Sequence, residues 1–215
     1  MTSEERREIR YQRRKAKRDE ARLKRSMACG DFDEVFSFRH LYLSAKKCCK
    51  GVYWKSSTQR YIGDLIPNVA LTLLSLKNGT FIHRGFHEFY IMERGKKRHI
   101  RSVHISERTV QKCLCDYCIV PIYSASFIYD NSASLKHRGM DFALRRMVYH
   151  LERHFRKHGL SGGILIYDFK SFFDDAPHAP LLREAERRLH DDRVRELHNS
   201  FIADLSLIHI SEPTR

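Results

Sequence analysis

No stretch of this chain approaches the run of about 18 uninterrupted apolar residues that a membrane span needs. The nearest candidate, LIPNVALTLLSL at residues 65–76, is short and carries Pro67 and Asn68. An apolar leader is missing as well, because the sequence is charged from Glu4 onward, unlike the hydrophobic region of a secretory signal. The cysteine spacing is also poor for a disulfide framework: Cys48 and Cys49 are adjacent, and Cys113, Cys115 and Cys118 fall within six residues. There is one CxxC, Cys115 to Cys118, but no second pair at zinc-ribbon distance, so these cysteines read as small core residues before they read as metal ligands. Internal repeats and low-complexity tracts are absent too. Together these absences predict no membrane and a reducing, cytoplasmic setting.

What is present is positive charge. The 215 residues hold 40 Lys and Arg against 26 Asp and Glu, a formal net charge of +14, and the apolar fraction of 42% is enough for a real core. A surface this basic favours polyanions. The charge is densest at residues 4–25, EERREIRYQRRKAKRDEARLKR, where eleven cations and five anions leave too few apolar positions for a buried face. That segment reads as an exposed basic helix, either simply solvated or serving as a nucleic-acid arm.

Periodicity organises the rest. Residues 32–49 carry Val35, Phe36, Leu41, Leu43 and Cys48 near a 3.6-residue period, with Gly51 closing the helix. A second helix over 66–77 ends at Asn78-Gly79. Residues 81–105 are rich in aromatic and β-branched side chains around Arg94-Gly95-Lys96, which predicts a β-hairpin with a basic tip. A helix follows over 106–120, ended by Pro121, with Val110, Leu114, Tyr117 and Cys118 on one face. After a loop with a turn at Asp130-Asn131, a helix over 140–158 places Leu144, Met147, Val148, Leu151 and Phe155 on one side and ends at Gly159. Ile164, Leu165 and Ile166 then predict a short strand buried on both faces, and residues 179–202 one further helix. Helices alternate with strands, so the expected class is mixed α/β, in the broad α+β sense.

The chemistry centres on Asp168, the carboxylate that ends the predicted strand in GGILIYDFKSFFDDAPHAPLL. Strand-end aspartates are common, and alone this one is more often a plain charge than a metal ligand. The segment DFKSFFDDAPHAPLL, however, resembles the first catalytic palm motif of reverse transcriptases of the bacterial and group II intron type. Two segments upstream resemble the same family in the same order. ERGKKRHIRSVHISERTVQKCL is similar to its fingers segment, and PIYSASFIYDNSASLKHRGMDFAL to the block before the palm strand. In the latter, YDNSAS replaces the GFRP-like form of intron enzymes and points to a prokaryotic branch outside typical introns. The basic N-terminus and KGVYWKSSTQRYIGDL resemble the start of such proteins less specifically, and the likeness spans about residues 45–205.

The resemblance implies an RNA-directed DNA polymerase acting on an RNA template and a DNA primer with deoxynucleoside triphosphates, and the fingers plus part of the palm of a right-hand polymerase. It implies two Mg²⁺ ions held by Asp168, with the Phe169 backbone carbonyl as a second ligand. It makes Phe173 the aromatic beneath the sugar that disfavours a 2′-hydroxyl, and Arg98 the guanidinium that grips the triphosphate. Lys96 and Lys97 add charge near the hairpin tip, while Arg108 and Gln111 match the family pattern and serve either nucleic acid or the fingers themselves. Lys136 and Arg138 are candidates for template phosphates. Asp174, Asp175 and His178 are expected to shape the turn after the strand.

The family's aromatic-x-Asp-Asp hairpin and thumb have no counterpart: the only adjacent Asp pairs are 174–175 and 191–192, the latter within a charged helical stretch. The expected organisation is therefore a basic extension over 1–28, a fingers-like region over 29–160, the first palm strand and helix over 161–205, and a non-native tail over 206–215 that looks like adapter read-through. On that basis the 215-residue chain is expected to be a fragment without polymerase activity of its own. Two other classes stay in play: a non-catalytic RNA-binding module built on the fingers, and a nuclease using Asp168 with Asp174 and Asp175.

Overall fold

The computed structural model describes residues 1–133, 135–169 and 176–210, with side chains described to residue 203. It divides into two compact units, one formed by residues 1–122 and 177–215 and the other by residues 123–176. Among the described residues the architecture is α+β, mostly helical, with one two-stranded antiparallel sheet.

The first unit begins with α1 (Ser3–Met27), opened by a capping box. The Thr2 hydroxyl accepts from the Glu5 amide at 3.2 Å, and the Glu5 carboxylate accepts from the Thr2 amide at 2.8 Å, which satisfies two of the amide groups that a helix start leaves unpaired. Only the C-terminal end of α1 is anchored: Ser26 is buried, and its hydroxyl accepts from the His190 amide at 3.1 Å.

The helix predicted over residues 32–49 is two helices, α2 (Phe32–Val35) and α3 (Phe38–Cys49). Ser37 divides them, because its hydroxyl caps α3 by accepting from the His40 amide. The break rotates the buried face, so Leu41, Ala45 and Cys49 enter the core while Leu43 stays partly exposed. Next come α4 (Ser56–Gly63) and α5 (Leu65–Lys77). Pro67 lies in the first turn of α5, where its missing N–H has no intrahelical partner to lose.

Strands β1 (Phe86–Glu93) and β2 (Lys96–Val103) form the predicted hairpin, paired from Phe86↔Val103 to Glu93↔Lys96. Arg94 (φ 50°) and Gly95 (φ 76°) both have positive φ, as a two-residue turn that matches the strand twist requires. α6 (Ile105–Leu114) follows and packs with α5 against α3. Val110, Cys113, Leu114 and Cys118 are buried here with Val35, Phe36, Leu41 and Val69.

Pro121 does not end this helix. The chain widens into a π-helical turn at Cys115–Ile119 and continues as α7 (Val120–Tyr123), with the Val120 amide bonding back to the Cys115 carbonyl. The wide turn relieves the clash that a proline ring otherwise makes with the carbonyl one turn earlier.

The helix predicted over residues 179–202 is also two, α9 (His178–Arg188) and α10 (Asp192–Ile210). The break falls at Leu189, which is buried, and Asp191 caps α10 by accepting from the Val194 amide at 2.9 Å. The other carboxylate oxygen of Asp191 accepts from the Phe32 amide at 3.0 Å, joining the starts of α2 and α10.

The second unit contains a short 3₁₀ turn (Ser124–Ser126) and α8 (Met140–His158). The predicted turn at Asp130-Asn131 is clamped to α8: Asp130 pairs with Arg146 at 2.5 Å and His150 at 2.7 Å. The Arg146 guanidinium also lies over the rings of Tyr129 and Tyr149. The apolar stripe Leu144, Met147, Val148, Leu151 and Phe155 has helical spacing as predicted, yet all five side chains remain exposed.

The strand predicted at residues 164–166 does not form. Ile164, Leu165 and Ile166 are 70%, 84% and 88% exposed in non-regular backbone. A lone extended segment with no neighbouring strand has nothing but water for its amides and carbonyls, and among the described residues the only paired strands are those of the hairpin.

Candidate nucleic-acid interface

Three basic features of the first unit are built by its local structure, and α1 is the largest. At 3.6 residues per turn, Arg6, Arg10, Arg13, Arg14, Lys17 and Lys24 fall within about 100° of its circumference. Glu4, Glu8 and Asp19 lie on the opposite side. Of those six cations, Lys24 alone has a carboxylate partner among the described residues, Glu20 at 2.7 Å. Like charges aligned in this way repel one another and are relieved by a polyanion laid along the helix.

The hairpin tip is the second feature. Lys96, Lys97 and Arg98 sit together at the start of β2, all exposed. Their side chains are already engaged: Lys97 Nζ lies 4.2 Å from the centre of the Tyr90 ring, and Arg98 Nε pairs with Glu93 at 2.8 Å. Arg98 is therefore held in place by a neighbour that an incoming anion would have to displace.

Arg108 is not brought to that tip. It lies past the root of the hairpin on α6, five residues beyond Val103, and from Arg98 to Val103 the strand alone spans about 17 Å. Its guanidinium reaches the Ser102 hydroxyl at 3.4 Å, and it lines the third feature, a cleft of about 970 Å³ between the N-terminus of α4 and the base of the hairpin. Lys55, Ser56, Ser57, Thr58, Arg84 and Trp54 are further lining residues, and they gave no signal in the sequence beyond a Trp-Lys-Ser-Ser-Thr run at residues 54–58. His104 also borders the cleft, and burial, helped by the nearby Arg84 charge, holds its imidazole below the ordinary histidine value.

A buried carboxylate that sequence reasoning missed supports this region. Glu107, 3% exposed, accepts from the Arg84 amide at 3.2 Å and from Gln111 Nε2 at 3.4 Å, and its Oε1 lies 3.3 Å from His83 Nδ1. Gln111 thus organises the fold rather than reaching outward. His83 Nε2 in turn lies 3.0 Å from Ser200 Oγ on α10, which ties the segment before the hairpin to the C-terminal helix.

The remaining predicted residues lie in the second unit or outside the described residues. Arg138 donates to the carbonyls of Tyr129 and of Asn131 (3.2 Å) and stacks over Tyr129 and Phe142, so its guanidinium holds the loop. Lys136 is exposed. Asp168 and Phe169 are exposed in the non-regular segment, with the Phe169 ring edge-on to Tyr167 at 6.0 Å. Phe173, Asp174 and Asp175 lie outside the described residues, and His178 begins α9.

No protein-family model matches this chain, and no curated protein matches it. No helix among the described residues is long and apolar enough to cross a membrane.

The cysteines behave as packing groups. Cys113 Sγ donates to the Val35 carbonyl at 3.3 Å, and burial pushes the thiols of Cys113 and Cys118 up to about 12. Mg²⁺ needs several oxygen ligands, and among the described residues no group of three or more His, Cys, Asp or Glu side chains is placed to hold a metal ion. The described residues by themselves therefore do not fit the ion pair that the polymerase resemblance implies.

Proposed function

We propose that this chain is the fingers side of an RNA-directed DNA polymerase of a prokaryotic retroelement, acting on an RNA template, a DNA primer and deoxynucleoside triphosphates. The observation that supports this is the basic hairpin, whose tip carries Lys96, Lys97 and Arg98, the residues to which the resemblance assigns the incoming triphosphate. In that role Arg98 grips the triphosphate, because a planar guanidinium donates to two phosphate oxygens at once. Asp168, the Phe169 carbonyl and Phe173 belong to the same proposal as the metal and sugar contacts that the resemblance assigns, although the described residues supply no complete set of ligands for the ions. What the described residues contribute is binding.

A photoreactive deoxyadenosine triphosphate tests it. Labelling should fall on the hairpin peptide and should drop by tenfold or more in Arg98→Ala. Glu93→Gln, which frees Arg98 from its 2.8 Å partner, should raise labelling a few-fold. Equal labelling in all three proteins would remove Arg98 from the proposal.

The second proposal, a non-catalytic RNA-binding module, is favoured by the cationic stripe of α1. Removing residues 3–20 should then abolish binding of a structured RNA and flatten its salt dependence. RNA binding of unchanged affinity and salt slope without α1 argues against it.

A further inference from the structure

The cleft between α4 and the hairpin base has two chemically distinct kinds of lining. One is the N-terminus of α4, where the N-cap residue Lys55 makes no side-chain cap and the chain reads Ser56-Ser57-Thr58. The first amides of a helix point outward with partial positive charge and suit an anion. Independently of that, Thr58 is 3% exposed, yet its hydroxyl has no hydrogen-bond partner among the described residues and is not sealed from solvent. The cleft is the space Thr58 borders. A nearly buried hydroxyl left open to a cleft is a donor waiting for an acceptor.

Around it stand Lys55, Arg84 and Arg108, none paired to a carboxylate among the described residues, and no described Asp or Glu lines the cleft. The other kind of lining is aromatic. Phe89 faces the cleft, and Trp54, 76% exposed, stands at its rim with Lys55 Nζ 5.3 Å from the centre of its ring. Cations and amide donors beside flat π-faces match a phosphate joined to a base, as in single-strand binding sites. An acidic peptide would use the cations and leave the π-faces idle.

We infer that this cleft binds one nucleotide unit of single-stranded nucleic acid, its phosphate at the α4 N-terminus among Thr58, Arg84 and Arg108 and its base stacked on Trp54. The choice of a strand over a free nucleotide rests on the nucleic-acid reading above; the phosphate-and-base site does not. It is also separate from the hairpin tip, so the two stand or fall apart.

Trp54 is the only tryptophan in the chain, so its fluorescence reports on the cleft directly. Titration with a short single-stranded oligonucleotide should quench it and tighten at low salt, with a slope near −0.7 per phosphate held. A deoxynucleoside monophosphate should bind more weakly and inorganic phosphate should not quench. Thr58→Val and Arg108→Gln should each weaken the oligonucleotide by about tenfold, while Arg187→Ala, on α9, should leave it unchanged. Because Thr58 is buried, Arg84→Ala, at an exposed position, and Lys55→Ala, at a half-exposed one, keep the test valid if Thr58→Val unfolds. No quench by any of these probes, quench unaltered by every cleft variant, or monophosphate binding as tightly as the strand would each overturn the inference. Triphosphate labelling at the hairpin in the same variants separates this failure from that of the polymerase reading.

Discussion

Removing the Asp191 carboxylate should cost this protein more than removing that of its neighbour Asp192, although the sequence presents them as one acidic pair. Asp191 accepts from the Val194 amide at 2.9 Å and from the Phe32 amide at 3.0 Å, so a single side chain caps α10 and secures the start of α2. Loss of the α10 cap is worth about 1 kcal/mol. Loss of the second, charge-assisted bond adds about 1.5 kcal/mol, giving about 2.5 kcal/mol for Asp191→Ala. With a urea slope of about 2 kcal/mol/M, the midpoint should fall by about 1 M. Asp191→Asn keeps one acceptor and should lose about half as much. Asp192 is largely exposed and among the described residues pairs only with Arg195 in the first turn of α10, so Asp192→Ala should cost about 0.5 kcal/mol or less. Urea unfolding followed by far-ultraviolet circular dichroism measures all three. Equal midpoints for the Asp191→Ala and Asp192→Ala proteins would refute the capping role.

Three further outcomes follow from other parts of the first unit. Glu107→Ala strips the Arg84 amide and His83 of their buried acceptor and should lower stability by about 2 to 4 kcal/mol, with Glu107→Gln costing less; thermal melts that match wild type would remove Glu107 from the fold's supports. At Asp116, burial pushes the carboxyl up, but hydrogen bonds from Lys112 (2.6 Å) and Lys47 (2.7 Å) outweigh it and leave the value below the ordinary one. Its contribution is therefore present above the unfolded carboxyl's pKa of about 3.9 and is lost as pH falls through the lower folded value, so Asp116→Asn should flatten the acid limb of a stability–pH curve; because the same contact raises the Lys47 ammonium, whose share is lost as pH rises through its folded value, the alkaline limb should flatten as well. At the hairpin turn, Gly95→Val puts a β-branched side chain at φ 76° and should cost about 1 to 2 kcal/mol, read as faster amide exchange along β2, whereas Arg94→Asn should slow it.

The hairpin was legible because its pattern is local. Aromatic and β-branched residues alternate about Arg94-Gly95, and the turn's positive φ values select glycine before any tertiary contact forms. The helix breaks at Ser37 and Leu189 were not legible, because each depends on partners far away in sequence. Asp191 reads as a helical charge until Phe32 is placed beside it, and Leu189 reads as one more helical apolar residue until the core claims it. Pro121 misled for a related reason: a proline predicts a stop, but packing of Cys118 and Ile122 holds the helix on its course through a wider turn.

The basic tip and the α1 stripe were visible as composition. The α4 cleft was not, because nothing in the order of residues says that Thr58 and Arg108 will face one space.

By itself the sequence determined the basic character of the chain, the helical periodicity of most segments and the hairpin with its turn. Those follow from charge and from backbone preferences within a few residues. Tertiary structure alone decided that Ile164 to Ile166 stay outside any sheet, since a strand exists only with a neighbour to accept its hydrogen bonds. It also decided that Glu107, an ordinary acidic position in a helical pattern, becomes the buried acceptor on which the hairpin's root is hung.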